Sequence, residues 1–188
     1  MCASLLPARD RVAADSSIGG GSLARTLLLY RYEYPVDHFI RALKFRGERV
    51  YARVLGTLLA HARADLGGEL PGVVIPVPLH SERYRRRGFN QAEEIARFAA
   101  RRLGLEVDSR CLRRRIATRE QSGLTVAERR RNVRGAFELR HVPRATRVAL
   151  VDDVVTTGST AMAAARTLQN AGISEIELWA AARVEIDP

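Results

Sequence analysis

Cysteine, lysine and long apolar runs are what this sequence has least of. Cys2 and Cys111 are the only cysteines in 188 residues, too few for a disulfide framework and lacking the paired CxxC spacing of a structural zinc site. The four histidines, His38, His61, His80 and His141, are scattered, so no structural zinc is expected. Apolar runs such as Leu27-Leu28-Leu29 and Val148-Ala149-Leu150-Val151 fall far short of the roughly 18 residues a spanning helix needs. Membrane insertion through such a helix is excluded. Met1 to Pro7 has neither a basic n-region nor an apolar stretch of about 7–15 residues, so no secretory signal is expected and the chain reads as cytoplasmic. Lys44 is the sole lysine among 31 basic residues.

What is present is ordinary for a soluble globular chain: 46% hydrophobic and 28% charged residues, in a length that fits one domain. The net charge is +10, and it is unevenly spread. Arg110 to Arg134 holds nine arginines against Glu120 and Glu128, a local excess of seven. Such a stretch suits a polyanion; it is equally the composition of a solvated helix face.

Residues 1–22 end in Ile18-Gly-Gly-Gly-Ser22 and read as a flexible tail before a domain over 23–188. Leu27 to Tyr34 has the period of a strand or hairpin arm, ended by Pro35. Phe39, Ala42 and Leu43 recur at helical spacing up to Phe45, and Gly47 stops them. Tyr51, Val54, Leu55, Leu58, Leu59 and Ala62 form one apolar stripe of a helix that Gly67-Gly68 breaks. Beyond it strands alternate with helices: Val73–Val77, then a helix over Asn90–Leu103, then Arg147–Val151, then a helix over Thr160–Ala171, then Ile176–Val184. This alternation predicts βαβ units and a doubly wound α/β fold, a parallel twisted sheet with helices on both faces. Its ligand is expected outside the carboxyl ends of the strands, at the topological switch point.

The most informative segment is Val148-Ala-Leu-Val-Asp-Asp-Val-Val-Thr-Thr-Gly-Ser-Thr160, a buried strand that runs into two carboxylates, a small hydroxyl-rich loop and a helix start. Thr156, Thr157, Ser159 and Thr160 supply hydroxyls, and Gly158 lets the backbone close on a ligand. At a helix N-terminus this is a cradle for a monophosphate. The Walker A and dinucleotide-binding fingerprints are absent. A capping hydroxyl alone would explain Ser159 or Thr160. Adjacent carboxylates at a strand end are less easily explained, because Asp152 and Asp153 repel unless something polar or cationic uses them.

Residues 148–160 resemble the phosphoribosyl pyrophosphate (PRPP) signature of type I phosphoribosyltransferases. Ala42-Leu-Lys-Phe-Arg-Gly47, Pro76-Val-Pro-Leu-His80, Arg87-Gly-Phe-Asn-Gln91 and the run Gln121…Leu124…Arg129…Asn132…Gly135-Ala-Phe137 narrow the resemblance to the ComF/GntX family of phosphoribosyltransferase-like proteins, over roughly residues 23–184. The resemblance implies that Thr156, Thr157, Gly158, Ser159 and Thr160 hold the 5′-phosphate. It places the ribose hydroxyls on Asp152 and Asp153, directly or through Mg²⁺. Pro78, Leu79 and His80, with Arg83 and Arg87, would bind the pyrophosphate. It also implies a small hood over 23–46, a core over 47–188, and a mobile flap over 112–135 carrying Arg113, Arg114 and Gln121. Homodimerisation is left open. Purine-specific relatives place an aspartate base where this chain has Thr156, which disfavours that mechanism. Family members commonly carry an N-terminal four-cysteine zinc module, and Cys2 alone lies in that region here.

Three functions compete on these grounds: phosphoribosyl transfer from Mg–PRPP to an acceptor that the sequence does not name, single-stranded DNA binding in DNA uptake, and PRPP sensing without turnover. Oxocarbenium-like displacement at C1 needs cations against a departing pyrophosphate rather than a protein nucleophile. The absence of a catalytic triad therefore excludes nothing.

Overall fold

In a computed structural model of the chain, which describes residues 12–13, 23–116 and 135–184, the β-branched runs assemble into one sheet. In chain order the elements are β1 (Val12–Ala13), β2 (Arg25–Arg31), α1 (Val36–Arg41) continuing as a π-helical turn (Ala42–Arg46), α2 (Val50–Asp65), β3 (Val73–Pro76), α3 (Ser81–Arg87), α4 (Gln91–Leu103), β4 (Glu106–Val107), β5 (Leu112–Arg114), β6 (Phe137–Leu139), β7 (Arg147–Val155), α5 (Ser159–Gln169) and β8 (Glu175–Arg183). The sheet order is β1-β2-β8-β7-β3-β4, parallel throughout except for the β1–β2 pair. β5 and β6 form a separate antiparallel ribbon. This is the expected α/β architecture of the phosphoribosyltransferase type. Most of the tail, and residues 117–134 of the expected flap with Gln121 among them, lie outside the described residues.

The alternation of side chains along each strand builds three layers. Leu27, Leu29, Val74, Ala149, Val151, Trp179 and Ala181 point to one face, where Ile40, Leu55, Leu59, Ile95 and Ala99 cover them. Leu28, Ile75, Val148, Leu150, Leu178 and Ala180 point to the other, beneath Ala161, Ala165 and Leu168 of α5 and Leu112 and Phe137 of the ribbon. The strand expected over Leu27–Tyr34 is present as β2 over Arg25–Arg31, antiparallel to β1 on one side. β2 pairs in parallel with β8, Leu28 opposite Ala180, because its apolar residues fit both faces of the main sheet.

On α2 the buried face is rotated from the expected stripe. Leu55, Leu59 and Ala62 are buried, but so are Ala52, Gly56, Ala60 and Arg63. Small residues let α4 approach closely: a Cβ on Gly56 would stand 2.5 Å from the Ile95 carbonyl oxygen. Arg63 is buried because Glu177 on β8 meets it, Nε to Oε2 at 2.7 Å and Nη2 to Oε1 at 2.9 Å, and the carbonyls of Gly67 and Glu69 accept from its Nη1 and Nη2.

Connections leave β3 toward β4 and leave β7 toward β8, in opposite directions across the sheet. The crevice between β3 and β7 is thus the switch point. β7 runs four residues further than expected, through Asp152 and Asp153 to Val155. The described part of the arginine-rich stretch forms strand β5, not the start of a helix face.

Candidate functional site

Two loops flank the β3–β7 crevice. Residues 77–79 follow β3 and are fixed from α4: Asn90 donates from Nδ2 to the Val77 carbonyl at 3.0 Å and caps its own helix by accepting the Ala92 N–H at 3.1 Å. Residues 156–158 follow β7 and turn into α5 through Gly158, whose φ of 72° is left-handed and favours a residue without a Cβ. The Thr157 and Ser159 hydroxyls are 2.7 Å apart, which holds the turn closed over the helix end.

Between the loops lies a cavity of about 590 Å³, a size suited to a small-molecule ligand. Of the residues singled out by sequence, Asp152, Asp153, Thr156, Gly158, Ser159, Thr160, Pro78, Leu79, Arg83 and Arg114 line it. Four others stand elsewhere. Thr157 spends its hydroxyl on Ser159. His80 caps α3 by accepting the Glu82 N–H. Arg113 pairs with Glu138 at 3.6 Å. Arg87 sits behind Gln91, donating to its Oε1, with its guanidinium 5.8 Å from the Phe45 ring.

The structure adds Tyr32, Lys44, Phe45, Asn90 and Gln91 to the lining. Lys44 and Gln91 change how the acidic pair reads. Asp153 is 4% exposed; Lys44 Nζ forms an ion pair with its Oδ2, and Gln91 Nε2 donates to its Oδ1 at 3.2 Å. Burial pushes the Asp153 carboxyl up, but the Lys44 ammonium and the Gln91 hydrogen bond outweigh it and hold the group below the usual carboxylate value. Asp152 is the more exposed of the two and accepts the Asp153 N–H at 2.9 Å. Burial and the neighbouring Asp153 charge push it up to about 8. The pair is therefore asymmetric: Asp153 is an ionised, internally spent anion, and Asp152 faces the cavity. Lys44 had a signal in the sequence, as the one lysine in a chain that uses arginine everywhere else.

Among the described residues no group of three His, Cys, Asp or Glu could hold a metal ion by itself. One cavity-facing carboxylate still fits a magnesium ion that arrives on a phosphorylated ligand, since Mg²⁺ is usually bound by one or two carboxylates plus substrate phosphates. Cys111 is buried, and burial pushes its thiol up to about 12, so it supplies no thiolate nucleophile at neutral pH. Arg83 and Arg114 provide cations opposite the carboxylates. No described helix is long and apolar enough to cross a membrane.

No protein-family model matches the chain. It is 36% identical over 163 residues to the DNA utilization protein YhgH of Escherichia coli O157:H7, an alignment that covers 85% of this chain and 72% of that protein. Against competence protein F of Haemophilus influenzae it is 34% identical over 166 residues, with the same shares covered. Competence protein ComFC of Streptococcus pneumoniae is more distant, 25% identical over 155 residues, 82% of this chain and 66% of that one.

Proposed function

The chain belongs to the ComF family of competence and DNA utilization proteins, and from that premise we propose that its cavity binds PRPP with Mg²⁺ and transfers the phosphoribosyl group to an acceptor. The observation that carries the reading is the meeting, in one cavity at the switch point, of a cavity-facing carboxylate, a hydroxyl-glycine turn at a helix start and two arginines. Each part has a use for one portion of the ligand. Thr156, Gly158, Ser159 and Thr160 surround the 5′-phosphate. Asp152 accepts from the ribose hydroxyls, while Asp153, neutralised by Lys44, holds β7, α4 and the π-helical turn together beneath it.

Transfer breaks the bond from C1 to the pyrophosphate oxygen and forms one from C1 to the acceptor, through an oxocarbenium-like state. Negative charge grows on the departing pyrophosphate, where Arg83 and Arg114 stabilise it without reorganising. Mg²⁺, held by Asp152 together with the ligand's own oxygens, would add to that neutralisation when bound. Tyr32 and Phe45 line the side of the cavity left for the acceptor.

A second reading, handling of single-stranded DNA during uptake, is favoured by the names of the relatives and by the arginine excess. A third, PRPP sensing without turnover, uses the same cavity. Thermal unfolding with PRPP and Mg²⁺ tests the shared premise. A ligand at 100 times its dissociation constant stabilises the fold by about 2.7 kcal/mol, so the wild type should melt several degrees higher, and Asp152→Asn/Asp153→Asn should lose the shift. Absence of a shift in the wild type would retire the PRPP reading and leave DNA. Turnover then separates enzyme from sensor.

A further inference from the structure

A second cavity, of about 700 Å³, lies on the far side of loop 77–79. Its walls come from the turn before β5, from β5 itself and from the residues just after β6. They carry four guanidinium groups, Arg110, Arg113, Arg114 and Arg140, and no carboxylate. The arginines are held in place by the fold. Asp108 accepts the backbone N–H groups of Arg110 and Cys111 at 3.1 and 3.0 Å, which fixes the turn. The Arg140 N–H donates to the Cys111 carbonyl at 2.7 Å, so Arg110 and Arg140 leave adjacent points of the ribbon's end. Cross-strand register sets Arg113 opposite Glu138.

The nearby acids are already engaged. The second oxygen of Asp108 meets His141 Nε2 at 2.8 Å, and Glu138 is shared between Arg113 at 3.6 Å and Arg115 at 3.2 Å. Among the described residues, neither the Arg110 nor the Arg140 guanidinium has an ion-pair partner. Arg114 supplies an independent observation. It is 7% exposed, yet it lines both this cavity and the first one. Its guanidinium lies 5.5 Å from the Phe137 ring centroid and is attracted by Asp152 on the side of the first cavity, so it adds positive charge to the wall between the two.

We infer that this cleft is a second anion site, built for a ligand with two or more linked phosphates and held chiefly by Arg110, Arg113 and Arg140, with Arg114 as the wall it shares with the carboxylate cavity. Guanidinium forks match phosphate oxygens in pairs, which suits a chain of phosphates better than a single carboxylate. The linked phosphates come either from a free oligophosphate or from the backbone of a nucleic-acid strand. The inference does not depend on PRPP chemistry in the first cavity.

The probe is inorganic tripolyphosphate, titrated calorimetrically into the full chain at low salt. Arg110→Ala/Arg140→Ala removes two exposed side chains and should leave the melting temperature unchanged. Binding should weaken roughly tenfold or more, as expected for lost charge-assisted hydrogen bonds. Arg53→Ala/Arg101→Ala removes the same charge from exposed positions on α2 and α4 and should leave affinity unaltered. Wild-type affinity in the Arg110/Arg140 variant would overturn the site, and so would equal weakening in both variants, which would reduce the effect to net charge. An oligothymidylate of about ten nucleotides identifies the source. If it displaces tripolyphosphate from the wild type, with a salt slope that falls by about two in the Arg110/Arg140 variant, the phosphates are a strand's; if it fails to displace, they are a free oligophosphate's.

Discussion

Asp152 and Asp153 are chemically identical neighbours with opposite fates, and the difference lies in a lysine 109 positions away in the chain. The Asp152 carboxyl is raised from 3.8 to about 8, so between those values the folded protein holds a proton that the unfolded chain has released. Stability contributed by that proton is complete below 3.8 and is lost as pH rises through about 8. Asp152→Asn should abolish this decline, so that its melting temperature gains on the wild type from pH 5 to 9. Binding that uses the Asp152 carboxylate should tighten over the same range. Asp153 behaves in the opposite sense: its lowered value contributes stability above 3.8, which is lost as acid protonates the folded form. Lys44→Met should therefore cost about 1–3 kcal/mol at neutral pH, read by chemical denaturation. The variant and the wild type should converge in strong acid. The signature of the acidic pair was plain in residues 148–160. Its asymmetry was not, because no local pattern reports which distant cation reaches which carboxylate.

Elements whose burial is written in local periodicity were legible in advance: β3, β7, β8, α4 and the existence of α2. The short pieces were not. β4, β5 and β6 have two or three residues each, too few for alternation to register, and α3 buries none of its residues. The buried face of α2 departs from its apolar stripe because charge marks a residue for solvent, whereas Arg63 is fully buried. Its partner Glu177 also accepts the Trp179 indole N–H at 2.7 Å, so a single carboxylate ties α2 to two positions of β8. Glu177→Ala strands a buried guanidinium and should cost about 3–5 kcal/mol. Replacing both partners, Arg63→Met with Glu177→Leu, should cost less than the single change. Urea denaturation of the single and double variants measures the difference. A double variant less stable than Glu177→Ala would mean that the pair contributes more than mutual neutralisation.

At the scale of the whole molecule, the fold class and the place of the cavity were legible because strand–helix alternation fixes both the parallel sheet and its switch point. The sequence did not disclose the strand order, which places β8, the last described strand, inside the sheet. β8 lies between β2 and β7, with Leu27 against Trp179 on one side and Val151 against Trp179 on the other. On the ribosome, then, β2 emerges well before β8 and waits while the residues between them are made, its parallel neighbour still unsynthesised. β3 and β7 can pair during that interval, but the strand that precedes the Lys44 segment stays unanchored to them. The Lys44 side of the carboxylate cavity therefore gains its anchor in the sheet only once β8 is made, and a chain truncated before β8 is expected to bind more weakly there.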